Sequence, residues 1–335
     1  MRGLAGCFSL LVAAWAYAGV SPAEVAHFEA CRLRAERGDP TDQAMLGFCY
    51  FIGQGVERDY AKAFHWLRLA APKESTAQTL LGHAYLHGEG VARDPVEAIG
   101  WFRKAAALGN PRAQVNLAIC YQEGVGVAAD PTQAVVYWRQ AAEQGDARGQ
   151  FGLGSACAQG LAPGGDAQAV YWLRKAAEQG FPSAQAKLGA FLFSGTGVGK
   201  DIPAAIGWWR QSAEQGDAVG QFSLGLCHAY GLGMPKDPRQ AVGWWRKSAE
   251  QGDARALASL AACYEKGEGV ARDVVEAYAL RSLVVPRDEK TQRALANLEA
   301  TLTSSELADA KEREVKHRQR IEARLSEQAQ LRGLR

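Results

Sequence analysis

The sequence predicts an all-α chain, a right-handed α-solenoid of about seven helix-turn-helix repeats with capping helices at both ends. Three observations carry that expectation. Leucines recur at Leu46, Leu81, Leu117, Leu153, Leu188, Leu224 and Leu260, always 35 or 36 residues apart. Around them runs one pattern, Leu-Gly-x-x-Tyr-x-x-Gly-x-Gly-Val-x-x-Asp-x-x-x-Ala-x-x-Trp, whose aromatic position is Trp66, Trp101, Tyr137, Trp172, Trp208 and Trp244, then Leu280 in the last copy. The heptapeptide Gly-Glu-Gly-Val-Ala-Arg-Asp occurs twice, at Gly88–Asp94 and Gly267–Asp273. A fixed period of this length marks units that bury their apolar faces only by stacking, and stacked helical hairpins of this kind wind right-handed.

The chain begins with a single charge, Arg2, an apolar run from Phe8 to Trp15, and Ala16-Tyr17-Ala18. This is the anatomy of a secretory signal peptide over residues 1–18, with an apolar core too short to cross a bilayer. It predicts export to the periplasm or the medium. None of Asn110, Asn116 and Asn297 opens a glycosylation sequon, which favours a bacterial source. Residues 22–38 align with the second half of a repeat alone and read as an N-terminal capping half-repeat.

Residues 39–286 form the array. In the third copy Leu117 and Tyr121 share one helical face, and Gly124 supplies the left-handed stop. Asp130-Pro131 then opens the second helix, Asp accepting from an orphan backbone N–H and Pro fitting the first turn. Gly145, Gly180, Gly216 and Gly252 end the second helices. The fourth copy departs from the pattern, with Cys157 for Tyr and Leu161-Ala-Pro-Gly-Gly165 for the loop. Residues 287–335 read as C-terminal capping helices and a basic tail, with a capping box at Thr303 and Glu306.

Over residues 22–302 this pattern resembles the Sel1-like repeat family, relatives of the tetratricopeptide repeats, from which the Gly-x-Gly-Val-x-x-Asp loop distinguishes it. The resemblance implies a scaffold or adaptor that binds a protein or peptide through the concave surface lined by its first helices. Carried over by register, the lining stripe includes Ala44, Phe48, Phe51, Thr79, His83, Leu86, Val115, Phe151, Ser155, Ala186, Phe193, Phe222 and Leu226. The candidate partner-binding residues are Phe48, Phe51, His83, Leu86, Phe151, Phe193 and Phe222. Two readings of the stripe stand open: an exposed groove, or packing between neighbouring first helices.

Catalytic motifs fail on inspection. Gly195-Thr-Gly-Val-Gly-Lys-Asp201 imitates a phosphate loop, but Ser194 stands where that loop needs Gly and Asp201 where it needs Ser or Thr. No Ser-x-x-Lys or Gly-x-Ser-x-Gly occurs. His83 and His87, four apart, lack a third ligand nearby in sequence. A net charge of +2 gives no electrostatic reason to expect nucleic acid. Arg68, Arg103, Arg139, Arg174, Arg210 and Arg246 share one slot, but Glu143, Glu178, Glu214 and Glu250 follow four residues after such an Arg, within pairing reach. Four of the seven cysteines (Cys49, Cys120, Cys227, Cys263) occupy one repeat slot, too far apart in neighbouring units to bond, whereas Cys31 and Cys49 form a candidate disulfide. We therefore expect a non-catalytic chain with no cofactor, no metal and no transmembrane anchor. Its oligomeric state is not set by the sequence. The alternatives are a cell-envelope enzyme or cell-wall ligand binder, since some cysteine-rich relatives resemble β-lactamase-like proteins, and a secreted host-interaction factor.

Overall fold

The computed structural model describes residues 21–285 and 289–334; the leader read as a signal peptide lies outside them. The described residues form seventeen helices and no strand. An opening helix α1 (Pro22–Ala35) precedes seven helical hairpins. These are α2 (Pro40–Ile52) with α3 (Tyr60–Ala70), α4 (Ser75–His87) with α5 (Pro95–Ala107), and α6 (Pro111–Glu123) with α7 (Pro131–Glu143). They continue as α8 (Ala147–Ala158) with α9 (Gly165–Glu178), α10 (Pro182–Ser194) with α11 (Ile202–Glu214), α12 (Ala218–Tyr230) with α13 (Pro238–Ala249), and α14 (Ala254–Lys266) with α15 (Val274–Ser282). Two helices follow, α16 (Glu289–Glu299) and α17 (Ser304–Leu334). The chain divides into two compact units, Met1–Gly149 and Gln150–Arg335. Within each, most helices pack on the next, and first helices also touch each other (α2 with α4, α10 with α12).

The hairpin loop follows from its letters. Its first Gly caps the first helix in the left-handed region, as at Gly88 (φ 79°) and Gly124 (φ 72°). The loop Asp caps the next helix: Asp94 Oδ1 accepts from the N–H groups of Val96 and Glu97, both at 3.0 Å. Each such cap contributes about 1 kcal/mol. The Asp94 N–H in turn donates to the Tyr85 carbonyl at 2.8 Å, tying the two helices together.

The second loop Gly does more than turn the chain. A Cβ at Gly90 would stand 2.1 Å from the Tyr60 carbonyl oxygen, at the start of the preceding hairpin's second helix. Gly55 meets the Glu24 carbonyl at 2.3 Å, Gly126 that of Pro95 at 2.2 Å, and Gly269 that of Pro238 at 2.3 Å. The loop of one repeat thus seats on the backbone of the repeat before it, and only a residue without Cβ permits that approach.

The Leu-Gly pair has a similar logic. Cβ atoms at Gly47, Gly82, Gly189 and Gly225 would overlap Leu67, Phe102, Trp209 and Trp245, at 2.8, 2.5, 2.6 and 2.4 Å. The buried slot of the second helix is therefore the residue after the recurring aromatic. Leu67, Phe102, Leu173, Trp209 and Trp245 are almost wholly buried, while Trp66, Trp101, Trp172, Trp208 and Trp244 are only half-buried.

In four hairpins a buried glutamine on the first helix accepts from a glutamine at the end of the second. Gln144, Gln179, Gln215 and Gln251 donate from Nε2 to Oε1 of Gln114, Gln150, Gln185 and Gln221 at 2.7–2.9 Å. In the second hairpin the donor's place is taken by Leu108, which is exposed, and the buried Gln78 Oε1 has no partner. Leu108→Gln is expected to satisfy that oxygen and stabilise the chain by about 1 kcal/mol in urea denaturation, a gain that Gln78→Leu in the same background should abolish.

The six cysteines among the described residues are buried free thiols, Cys31 and Cys49 included. Cys31 Sγ is turned toward His27 Nε2 and Arg34 Nη2, at 3.6 and 3.7 Å. Burial pushes the thiols of Cys49, Cys120, Cys227 and Cys263 up to about 11, so they are protonated and unreactive at neutral pH.

At the C-terminal end α17 lies against α15, with a Thr303–Glu306 capping box at its start. Arg313 pairs with Asp273 at 2.8 Å and Glu276 at 3.3 Å, His317 meets Glu276 at 2.8 Å, and Arg324 pairs with Glu250 at 3.2 Å. Burial alone would raise the Glu276 pKa, but His317 and Arg313 outweigh it and hold the carboxyl below its ordinary 4.5. Asp273 is likewise held below 3.8, its backbone N–H contacts and Arg313 outweighing burial. A carboxylate depressed on folding stabilises above its unfolded value and loses that contribution as pH falls through the folded one. Hydrogen exchange over 304–327 is therefore expected to lose protection as pH drops below 4.5, ahead of α4–α7; uniform loss would contradict this docking.

Candidate functional site

The stripe on the first helices divides by depth. Its leading positions Ala44, Thr79, Val115 and Ala186 are buried. Phe48, Leu86, Phe193 and Leu226, one or two turns on, are half-buried, as are Phe151 and Phe222, whose rings outgrow the leading slot. The stripe thus joins buried leading positions to half-buried apolar side chains one or two turns on.

In the first unit Phe51 leaves that face. It is 1% exposed, edge-on to Tyr60 and His83 with centroids 5.3 and 5.6 Å away, so it supports His83 and offers no ring to a partner. His83 Nδ1 lies 3.0 Å from Glu89 Oε2, and its ring sits 4.3 Å from that of His87. Burial, then the His83 charge, depress the His87 pKa. Both histidines and Glu89 adjoin, yet among the described residues no group of three or more His, Cys, Asp or Glu is placed to hold a metal ion.

In the second unit the Phe151 ring leans on Phe181 at 5.3 Å, and Phe193 leans on Trp209 at 5.3 Å. Phe222 lies under the Arg255 guanidinium at 4.5 Å, and Arg255 pairs with Asp253 at 2.6 Å. Lys187 Nζ lies 5.8 Å above the Phe151 ring and donates to Ser155 Oγ at 2.9 Å. Linear motifs do not show this Ser–Lys pair, because stacking alone brings residue 155 beside residue 187. Ser155 lies inside α8, where backbone N–H groups are committed to helical hydrogen bonds, so the pair lacks backbone donors for an oxyanion. Its chemistry is hydrogen-bond donation. The arginine slot on the second helices serves the array: Arg103 donates to the Tyr121 hydroxyl and Arg246 to that of Tyr264, at 2.9 and 3.1 Å. Ion pairs from this slot to the glutamates four residues on are absent among the described residues.

A family model for the Sel1 repeat matches residues 40–71, 75–110, 111–146, 147–181, 182–217, 218–253 and 254–280. The chain belongs to the Sel1 repeat family. Each Sel1 repeat match opens on a first helix and, in the inner copies, ends beside the Gly that stops the second. A solved Sel1 repeat protein from Oxalobacter formigenes is 30% identical, covers 73% of this chain and 98% of its own, and superposes with a TM-score of 0.67. The structure of c5321, a protective antigen of uropathogenic Escherichia coli strains with an SLR fold, is 33% identical over 89% of this chain and 72% of its own, with a TM-score of 0.56. Comparison with curated proteins finds no match. Among the described residues no helix of this Sel1 repeat protein is long and apolar enough to cross a membrane.

Proposed function

We propose that this Sel1 repeat protein is an exported, non-catalytic scaffold that binds a protein or peptide on the first-helix faces of its repeats. The observation that carries the reading is the row of half-open apolar side chains, Phe48 and Leu86 in one unit and Phe151, Phe193, Phe222 and Leu226 in the other, on an otherwise closed core. Rigid helices hold these rings in place before binding, which lowers the ordering cost, and aromatic anchors of this kind carry a large share of binding energy. Phe151→Asp and Phe222→Asp are expected to keep the helical circular dichroism and lose partner capture by at least about tenfold. Tyr171→Asp, an exposed change on a second helix, is expected to leave capture intact. Equal capture by all three variants would sink the reading.

Export rests on the leader residues 1–18. N-terminal sequencing of the protein from periplasm and medium tests it, and a retained Met1 would oppose it. The resemblance to a protective antigen of uropathogenic E. coli supports a second reading, a host-facing role. Accumulation in the medium rather than the periplasm is the result that reading expects.

A further inference from the structure

Lys187 differs in burial from the other cations that lie against aromatic rings among the described residues, all of which are exposed. Arg255 over Phe222 is neutralised by Asp253, and Lys62 near Tyr50 by Asp59. Lys187 is half-buried over Phe151, and no carboxylate stands against it among the described residues. Burial lowers its pKa, and no neighbouring charge acts with or against that burial. An ammonium carries three donor hydrogens, and one goes to Ser155 Oγ. Because Ser155 accepts there, its own hydroxyl hydrogen is free to donate. The ammonium and hydroxyl donors thus adjoin, with the Phe151 ring, itself against Phe181, beside the ammonium. The stripe runs on to Phe193, Phe222 and Leu226 in the same unit, so a chain lying on it continues past Lys187 instead of ending there.

We propose that Lys187 and Ser155, walled by Phe151 and Phe181, form a subsite for the side-chain carboxylate of an Asp or Glu within a bound peptide, flanked in that peptide by apolar residues. The inference rests on the proposed groove and names the chemistry of its occupant. The carboxylate supplies the counter-charge that Lys187 lacks, and a charge-assisted bond in a half-buried setting is stronger than the same contact in open solvent.

The test uses the full chain and three labelled peptides: acetyl-Leu-Phe-Glu-Phe-Leu-amide, the same peptide with Gln for Glu, and the Gln peptide with a free C-terminal carboxylate. By fluorescence anisotropy at low salt, the Glu peptide is expected to bind about tenfold or more tightly than the Gln peptide. That ratio should fall toward unity in Lys187→Met and persist in part in Lys187→Arg, with unchanged melting temperatures. Equal binding of Glu and Gln peptides would overturn the subsite and leave the groove standing. A ratio unaltered by Lys187→Met, or preference for the free C-terminus over the Glu side chain, would also overturn it. Binding of none of the peptides to millimolar concentration would overturn the subsite, while capture by Phe222→Asp and its parent still decides the groove separately.

Discussion

Gly90→Ala should destabilise the chain by about 3 kcal/mol, against about 1 kcal/mol for Gly88→Ala two residues earlier. Both glycines have left-handed backbones, with φ of 73° and 79°, so the conformational cost of Ala is the same at each. They differ in what the new methyl meets. At Gly88 the nearest atom is the Arg93 Cβ at 3.3 Å, on an exposed side chain; at Gly90 it is the Tyr60 carbonyl oxygen at 2.1 Å, part of a helical backbone that cannot move without shifting α3. The excess is thus the cost of separating one repeat from the next. Urea denaturation of the two variants measures it. Equal losses would mean that the second loop glycine serves only its own turn.

Phe102→Ala should cost about 4 kcal/mol and Trp101→Ala about half of that, although tryptophan is the larger residue. Phe102 is fully buried and its ring fills the space above Gly82, where the missing Cβ admits it. Removing it leaves a cavity that two helices cannot close. Trp101 is half-buried under the Lys104 ammonium, and its indole N–H is buried without an acceptor, so its removal also relieves a desolvated donor. Thermal melts of the two variants test the order, and a larger loss for Trp101→Ala would place the core slot at the recurring aromatic after all.

Those two pairs show what the sequence makes legible. Gly88 and Asp94 act within one hairpin, through left-handed φ and a local cap, so the letters alone predict them. Gly90 acts on Tyr60, and Gly82 on Phe102 across the hairpin; only packing reveals which of two adjacent aromatics, 101 or 102, fills the space. The regular aromatic at 66, 101, 172, 208 and 244 draws the eye because it repeats, while the buried slot beside it varies among Leu, Phe and Trp. The stripe was legible by register, since first helices touch in each unit. The depth of each residue was not: Phe48 stays half-open and Phe51, one turn on, closes over His83. Lys187 and Ser155 lie beyond any linear motif because their proximity is a product of stacking. Cys31 and Cys49 stand here as free thiols, Cys31 turned toward His27 and Arg34, contacts on its own helix that sequence spacing does not reveal.

Site-specific photocrosslinking in living cells tests the groove most directly. A photoreactive aromatic residue is placed at Phe222, on the first-helix face of the second unit, and separately at Tyr171, exposed on a second helix of the same unit. The Phe222 position is expected to yield one dominant protein adduct that Tyr171 does not, and Phe151→Asp in the same chain should abolish it. Equal adducts at both positions, or a dominant adduct at Tyr171 alone, would show that the partner meets the second helices and that the half-open stripe is not the binding face.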